Sequence, residues 1–264
     1  DEYAEVLVNE LTFSGDWIFD SRHDVADYRP LSNRYHYLTQ HFLGWEIETQ
    51  RPVFNPEIPN FFDFRTPQHG AMRFVYVLPF SEYRALVEYT LFSSQLLPLA
   101  DYEYGLKAYI RDVLGVHSYQ ILAEERDLIP MTDHPFPRRA GRHVMNIGTR
   151  GGRVKATTGF AFQRIQRDCA AIVHSLLTHE HPFDIPTPAA RYRTFDAMLL
   201  QILYRHGDLS KRVFTDIFKK NPVDRIFRFL DEQGNLWENL QLMASVPPWP
   251  FMRAWLKLKL FHRV

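Results

Sequence analysis

The sequence predicts a mixed α/β fold in which an antiparallel sheet is joined to a carboxyl-terminal helical region. Residues 74–78 and 85–92 are runs of β-branched and aromatic side chains around a polar break at 81–84, a pattern typical of a β-hairpin. Other strand patterns flank this hairpin, whereas apolar residues after position 188 recur at the period of a helix. With 264 residues, the chain can bury one large core or two smaller ones.

The strand patterns outside the hairpin extend the predicted sheet. They fall at residues 16–22, 40–49, 61–65, 119–125 and 128–131. In the second of these, Trp45 and Ile47 share one face while Glu46 and Glu48 share the other, as expected for a strand. We therefore expect a mostly antiparallel sheet with one helix between residues 40 and 125.

Helical patterns follow on both sides of a linker at 181–188. They fall at residues 100–114, 162–177, 194–206, 211–220, 222–231 and 247–263. Asp101 is expected to cap the first helix, and Gly115 stands where a C-cap glycine belongs. The last segment mixes Trp and Leu with Arg and Lys, which predicts either a helix in a membrane interface or a docked helix with a solvated basic face.

Three acidic or basic residues stand where chemistry is expected. Glu88 lies mid-strand in the apolar hairpin, where an ionised carboxylate is costly unless it is paired or its pKa is raised. It is either a partner for an arginine of a neighbouring strand or a general acid in an apolar cavity. Asp20 and Arg22 end a strand, at an edge where ligands bind in α/β sheets, or they form a simple loop ion pair.

A glycine-rich stretch at residues 147–162 precedes a predicted helix. Its small and hydroxylated residues are Gly148, Gly151, Gly152, Thr157, Thr158 and Gly159. Unobstructed backbone N–H groups at a helix start make an anion site, although this spacing matches neither a Walker loop nor G-x-G-x-x-G. An ordinary turn is the other interpretation.

The composition excludes several classes of function. Lys+Arg and Asp+Glu are equal at 31 each, so no net charge attracts nucleic acid. The single Cys169 excludes an internal disulfide and a cysteine-based zinc site, and the twelve histidines form no His-x-x-x-His pair. We expect neither a nucleic-acid partner nor a metal. No apolar run approaches the roughly 20 residues needed to span a bilayer.

The hairpin and the glycine-rich stretch together resemble the bacterial lycopene cyclases, flavoproteins that close β-ionone rings on lycopene, and especially the Bacteroidetes type. The motifs that carry the resemblance are Gln40-His-Phe-x-Gly-Trp45, Phe62-Asp-Phe-Arg65, Phe74-Val-Tyr-x-Leu-Pro-Phe-Ser81, Ala85-Leu-Val-Glu-Tyr-Thr90, Ile129-Pro-Met131 and Lys155-Ala-Thr-Thr-Gly-Phe-x-Phe162. Six motifs in the same order are far more specific than any one of them.

The resemblance implies roles for individual residues. Glu88 matches the family's catalytic glutamate in Leu-Val-Glu-x-Thr, and Asp20 with Arg22 matches an essential Asp-x-Arg motif. Residues implied to bind the flavin and its phosphates are Pro130, Met131, Gly148, Thr149, Gly151, Gly152, Lys155, Thr157, Thr158 and Gly159. Asp127 replaces the glycine of Gly-x-Ile-Pro-Met and Ala156-Thr157 replaces Pro-Ser, so these flavin contacts are expected to be weaker.

The resemblance also implies a Rossmann-like FAD-binding domain that begins with G-x-G-x-x-G, a motif that this chain lacks. The expected organisation is a remnant of that domain at 1–37, an antiparallel-sheet substrate domain at 38–127, a return segment of the FAD-binding domain at 128–178, and a helical, membrane-associating region at 179–264. We expect the first part of the FAD-binding domain to be missing, and FAD binding by this chain to be poor or absent.

The activity implied is a redox-neutral, acid-catalysed cyclisation of the ends of lycopene to β-ionone rings, which gives γ-carotene and β-carotene. Reduced FAD is the implied cofactor and NAD(P)H its electron source. Because lycopene is insoluble in water, we expect a cytoplasmic protein attached to a membrane surface. Two alternatives stay open: another FAD-dependent isoprenoid enzyme, such as a geranylgeranyl reductase or a hydroxylase, and a non-catalytic membrane-surface protein.

Overall fold

The computed structural model describes residues 3–23 and 34–260 of the chain. The strands are β1 (Ala4–Val8), β2 (Leu11–Gly15), β3 (Ile18–Asp20), β4 (Tyr37–Thr49), β5 (Asn60–Asp63), β6 (Met72–Pro79), β7 (Arg84–Ser93), β8 (Tyr119–Thr132) and β9 (Val144–Asn146). The helices are α1 (Leu99–Asp112), α2 (Phe162–His179), α3 (Ala190–Arg205), α4 (Gly207–Lys220), α5 (Val223–Leu230), α6 (Leu236–Ser245) and α7 (Pro248–Leu260). This arrangement confirms the mixed α/β class predicted from the sequence.

The largest unit is a five-stranded antiparallel sheet with the order β5-β6-β7-β4-β8. The predicted hairpin is β6 and β7, which pair from Met72 opposite Phe92 to Pro79 opposite Ala85. Most of its residues are buried because both faces of the sheet are covered. The prediction of a mostly antiparallel sheet with one helix is therefore confirmed.

The two faces of the sheet bury different clusters, since successive side chains of a strand point to opposite faces. On one face, apolar residues of β4, β6 and β7 pack against Leu106 and Ile110 of α1. On the other face, residues that include Phe74 pack against Leu203 of α3 and Phe214 of α4. We call this second face of the sheet the α3–α4 face. Glu88 lies on it, because Phe92, four residues further along β7, projects to the same face and belongs to this cluster.

A second, smaller sheet brings distant segments together. β3 and β9 pair in parallel, with Ile18 opposite Val144 and Asp20 opposite Asn146. The backbone N–H of Ile147 then donates to the carbonyl of Asp20 at 2.9 Å. The carboxyl ends of the two strands therefore share one edge, from which the glycine-rich stretch begins.

Three local expectations need correction. Residues 119–125 and 128–131 form the single strand β8, because Asp127 continues the ladder opposite Phe42. Asp101 does not cap α1. The helix begins at Leu99, directly after Pro98, and Asp101 lies within its first turn. Helix α6 was not among the predicted helices, although its capping box of Asn235 and Glu238 is a sequence signal for a helix start.

Candidate active site

One row of paired residues crosses four strands of the large sheet on the α3–α4 face. Tyr76 of β6 pairs with Glu88 of β7, Glu88 with Gly44 of β4, and Gly44 with Glu125 of β8. Directly paired residues of an antiparallel sheet project to the same face. Three polar side chains therefore share the row, and the glycine leaves an opening between the two carboxyl groups.

Glu88 is the buried acid of this row, with 9% of its surface exposed. The hydroxyl of Thr90 donates a hydrogen bond to Glu88 Oε1 at 2.5 Å. Burial raises the pKa of Glu88 to about 7, and the neighbouring Glu125 carboxyl adds to the rise while Thr90 opposes it. Within residues 3–23 and 34–260, Glu88 forms no ion pair, so the interpretation as an arginine partner is wrong.

Aromatic rings surround the apolar part of the α3–α4 face. The ring centroids of Phe62 and Phe74 are 4.8 Å apart, those of Phe74 and Tyr76 are 5.0 Å apart, and those of Phe62 and Phe214 are 5.1 Å apart. Tyr76 thus joins this aromatic group to the row that holds Glu88. Sequence reasoning missed Tyr76 and Glu125, because only the strand register brings them beside Glu88.

Asp20 and Arg22 form a tight local pair at the shared edge of β3 and β9. Arg22 donates to the carboxylate through its backbone N–H at 3.0 Å, its Nε at 3.0 Å and a terminal nitrogen at 2.9 Å. Arg150 Nε lies 3.4 Å from Asp20 Oδ2. The hydrogen bond from Arg22 lowers the pKa of Asp20, although burial of the carboxylate opposes this.

The first half of the glycine-rich stretch is a compact turn beside this pair. Gly148 and Gly152 have φ angles of +58° and +72°, the left-handed region that favours glycine. The N–H groups of Gly151 and Gly152 donate to carbonyls of the stretch itself. Thr149 lies within the turn and accepts one of these bonds through its carbonyl. These two amides are therefore engaged, and phosphate binding by the turn stays a prediction.

The second half of the stretch lies on the α3–α4 face of the large sheet. A Cβ atom on Gly159 would lie 2.2 Å from Gln40 Oε1 and 3.5 Å from Ile129 Cγ2, so only glycine allows this approach. Ile129 leads into Pro130 and Met131, which are buried in β8. Because Gln40 and Gly44 are four residues apart on one strand, this contact lies about 13 Å from the Glu88 row.

Lys155 is fully buried and ties the stretch to the carboxyl-terminal helices. Its ammonium lies 2.8 Å from Asp196 Oδ1 and 3.1 Å from Glu232 Oε1. Thr157 donates to Asp196 at 3.0 Å, and Arg164 pairs with Glu232 at 2.5 Å. Burial raises the pKa of Asp196, while the Lys155 charge opposes the rise. The charge of Lys155 is thus compensated within the protein, and a role at the cofactor stays a prediction.

Among residues 3–23 and 34–260, no group of three or more His, Cys, Asp and Glu side chains is arranged to hold a metal ion. In the same part of the chain, no helix combines the length and the apolar composition that crossing a bilayer requires.

The sequence matches a known family along most of its length. The model of the family described as lycopene cyclase protein matches residues 3–256. A curated lycopene beta-cyclase from a Paracoccus species is 46% identical over 234 residues, which cover 81% of this chain and 58% of the relative. The chain therefore spans somewhat more than half the length of this relative.

Solved structures share the fold at low identity. A geranylgeranyl bacteriochlorophyll reductase-like protein from Thermoplasma acidophilum has a TM-score of 0.51 at 12% identity, and the match covers 98% of this chain and 66% of that one. The Diels-Alderase PyrE3 of the pyrroindomycin pathway also gives 0.51 at 12%, with 88% and 53% covered. These structural similarities concern the fold alone. The family match, by contrast, covers residues 3–256 of the sequence itself. This chain therefore belongs to the lycopene cyclase family.

Proposed function

We propose that this chain carries the proton-donating site of a lycopene beta-cyclase. The observation that supports this most is Glu88, a buried carboxyl group on an aromatic face, whose pKa of about 7 lets it hold a proton near neutral pH. Family membership and 46% identity to a curated lycopene beta-cyclase make a terminal end of lycopene the proposed substrate.

The proposed reaction moves protons and no net electrons. Glu88 gives its proton to a terminal C=C of lycopene, an electron pair of the next double bond closes the six-membered ring, and a cation forms. Loss of a ring proton to a base then restores a C=C and gives the β-ionone ring. The Glu88 carboxylate left behind offsets the positive charge of the cation, because both lie where water does not screen them.

The aromatic rings beside Glu88 have two proposed tasks. Phe62, Phe74 and Tyr76 offer the negative faces of their π-systems to a cationic intermediate. They also exclude water, which would otherwise trap the cation as an alcohol. This arrangement favours ring closure over hydration.

The residues around Gly159 fit the edge of a flavin. Gln40 Oε1 and Thr158 Oγ1 are buried there without a hydrogen-bond partner among the described residues, and a planar ring with polar edge atoms would satisfy them. We propose that Gln40, Pro130, Met131, Thr158 and Gly159 contact the flavin ring. When bound, reduced FAD would supply a group that donates a proton or stabilises positive charge, with NAD(P)H as the electron source.

We propose that the pair of Asp20 and Arg22 acts on the same cofactor. Arg22 is 85% exposed although it is fixed to a buried carboxylate, so its guanidinium is oriented and still accessible to an anion. Gly148 and Thr149 start at the same edge. Together they would orient an anion and tune protons at the flavin side.

We propose that the protein acts while bound to a membrane surface, because its proposed substrate lycopene is insoluble in water. On α7, Trp249, Met252, Trp255 and Leu256 are exposed opposite the buried Ala254. A groove of about 260 Å³ between α3 and α7 is lined by basic residues that include Arg205, His206, Arg253 and Lys257. Flotation with anionic and neutral lipid vesicles tests this, and equal failure to bind both would contradict it.

Carotenoid analysis in a lycopene-accumulating bacterium tests the proposed reaction. Two proteins are compared: this chain alone, and a chimera in which this chain replaces the matching segment of the Paracoccus relative. We expect γ-carotene or β-carotene from the chimera. A folded chimera that leaves lycopene unchanged, while the intact relative cyclises it, would contradict the proposal.

A second candidate is reduction of an isoprenoid, which the fold likeness to the reductase-like protein from Thermoplasma acidophilum favours. Such an enzyme consumes NAD(P)H in proportion to its product, whereas a cyclase does not. Measuring NAD(P)H oxidation against carotenoid product in the chimera separates the two.

A further inference from the structure

The buried acid Glu88 has a second carboxyl group beside it. Glu125 lies two strands away in the same row, with Gly44 between them. The Glu125 side chain reaches over Gly44, since its Oε1 would lie 3.1 Å from a Cβ atom there, and its carboxyl group helps to raise the pKa of Glu88. Unlike Glu88, Glu125 is exposed on the edge strand β8.

Gly44 is what allows this approach. A Cβ atom at Gly44 would lie 2.9 Å from Glu125 Cγ and 3.1 Å from Glu125 Oε1. The Glu125 side chain therefore lies across the bare backbone of β4 and points toward β7. Any larger residue at position 44 would push Glu125 outward, away from Glu88.

We propose that Glu125 is a positioning residue for Glu88: the two carboxyl groups hold one proton between them, and Glu125 carries protons between water and the buried acid. In this step, protonated Glu125 and ionised Glu88 exchange to give ionised Glu125 and protonated Glu88, so atoms and charge balance without another reactant. The inference rests on the proposed cyclase function, because that function requires Glu88 to be reloaded with a proton.

The other ionisable groups on the α3–α4 face either have a partner of their own or lie outside the row that holds Glu88 and Glu125, apart from Tyr76. Tyr76 flanks Glu88 on β6, while Glu46 and Asp127 lie one row away on β4 and β8. Glu46 is paired with Arg84. The helices that pack on this face add the apolar residues Leu200, Leu203 and Phe214, and the buried Asp196 of α3 is held by Lys155.

The test titrates Glu88 in the purified chain, labelled with ¹³C at the glutamate carboxyl groups, from about pH 4 to about pH 9. The Glu88 resonance is assigned by its loss in Glu88→Gln. We expect its midpoint to move to lower pH in Glu125→Gln, since a neighbouring negative charge and a shared proton are removed. Glu124→Gln is the matched control, because Glu124 is the adjacent residue and accepts from Trp45 on the opposite face.

Gly44→Ala supplies an independent variant that keeps every carboxyl group. Its Cβ separates the pair, so the Glu88 midpoint should again fall. An unchanged midpoint in both Glu125→Gln and Gly44→Ala would overturn the proposal. This readout needs no catalysis, so it stands even if the chimera fails to cyclise lycopene.

A kinetic readout separates proton delivery from simple packing. In the chimera, Glu125→Gln should lower kcat about tenfold, with KM for lycopene unchanged and the pH profile shifted. Equal loss at every pH, or a change confined to KM, would contradict a role in proton delivery.

Discussion

Asp20 and Glu88 are carboxylic acids with similarly small exposed fractions, yet their pKa values are shifted in opposite directions. Their exposed fractions are 8% and 9%. Asp20 accepts three hydrogen bonds from Arg22, and this lowers its pKa. Burial is the main cause that raises the pKa of Glu88 to about 7, the Glu125 carboxyl adds to the rise, and one hydroxyl hydrogen bond from Thr90 opposes it. A small exposed fraction therefore does not by itself decide whether a carboxyl group is an acid or a fixed anion, because depth in the protein raises the pKa of Glu88 whereas the guanidinium partner lowers that of Asp20.

The proposed chemistry is divided between two places in the molecule. Glu88 is poised to give a proton on an apolar face, whereas Asp20 stays ionised and orients a guanidinium. The glycine-rich stretch runs from the place that holds Asp20 to the large sheet, since Gly148 follows the β3–β9 edge and Gly159 contacts Gln40. One segment of chain thus links the anion to the sheet that carries the acid.

The largest expected effect comes from removing the acid. Glu88→Gln in the chimera should lower the rate of ring formation on the order of 10³-fold, because the amide cannot donate a proton to a C=C. Initial rates of cyclic carotenoid formation measure this, with Glu124→Gln as the control on the opposite face. A variant that keeps more than about a tenth of the rate would remove Glu88 from the mechanism.

The pH dependence of stability should distinguish the two carboxyl groups next. Folded Glu88 keeps its proton up to about pH 7, whereas an unfolded glutamate loses it near its ordinary pKa of 4.5. The folded chain therefore binds more protons between these values, and its free energy of unfolding should fall on the order of 3 kcal/mol as pH rises from about 5 to about 8. Urea unfolding across this range should give a flatter profile for Glu88→Gln. Parallel profiles for the two proteins would contradict the raised pKa.

Asp20 should show the opposite sign and a smaller effect. Its lowered pKa adds stability that is present above the ordinary pKa of 3.8 and is lost as pH falls through the folded value. Asp20→Asn should therefore cost on the order of 1 kcal/mol at neutral pH, because solvent around the exposed Arg22 screens the charge-assisted hydrogen bonds that are lost. The cost should shrink toward about pH 3, whereas the exposed Asp112→Asn control should change little. A cost that persists at acid pH would indicate packing, not charge.

Most of the fold can be predicted from the sequence, because strands and helices leave patterns among residues that are close together in the chain. Alternation of apolar residues located β4, and the two aromatic runs located the β6–β7 hairpin. The buried position of Glu88 also followed from its neighbours in the chain. The sequence pattern predicts two strands where β8 is one, because a charged residue such as Asp127 on an exposed edge strand resembles a break.

The candidate site was less accessible, because its contacts depend on register. Nothing near Glu125 in sequence points to Glu88, and the two meet only because both pair with Gly44. The partners of Lys155 were equally hidden, since Asp196 and Glu232 lie far along the chain in the helical region. Sequence reasoning found the residues that chain neighbours define, and it missed those that only tertiary pairing brings together.

The smallest expected effect on stability belongs to Arg22, and it separates orientation from stability. Arg22→Lys keeps the positive charge but loses the planar guanidinium that binds the Asp20 carboxylate through two nitrogens. Arg150 still lies 3.4 Å from that carboxylate, so its negative charge stays compensated. Because Arg22 is 85% exposed, the free energy of unfolding should change little.

Arg65 offers a matched control, since it grips Asp63 with the same Asp-x-Arg geometry and is 63% exposed. Urea unfolding of Arg22→Lys and Arg65→Lys should therefore give similarly small changes. Ring formation by the chimera should fall about tenfold for Arg22→Lys and stay unchanged for Arg65→Lys, because the Arg22 guanidinium, unlike that of Arg65, stands at the edge from which the glycine-rich stretch begins. Equal rates for the two variants would mean that Asp20 and Arg22 form a structural ion pair that takes no part in the reaction. The low pKa of Asp20 would then describe the architecture of the β3–β9 edge, and Glu88 would carry the chemistry without it.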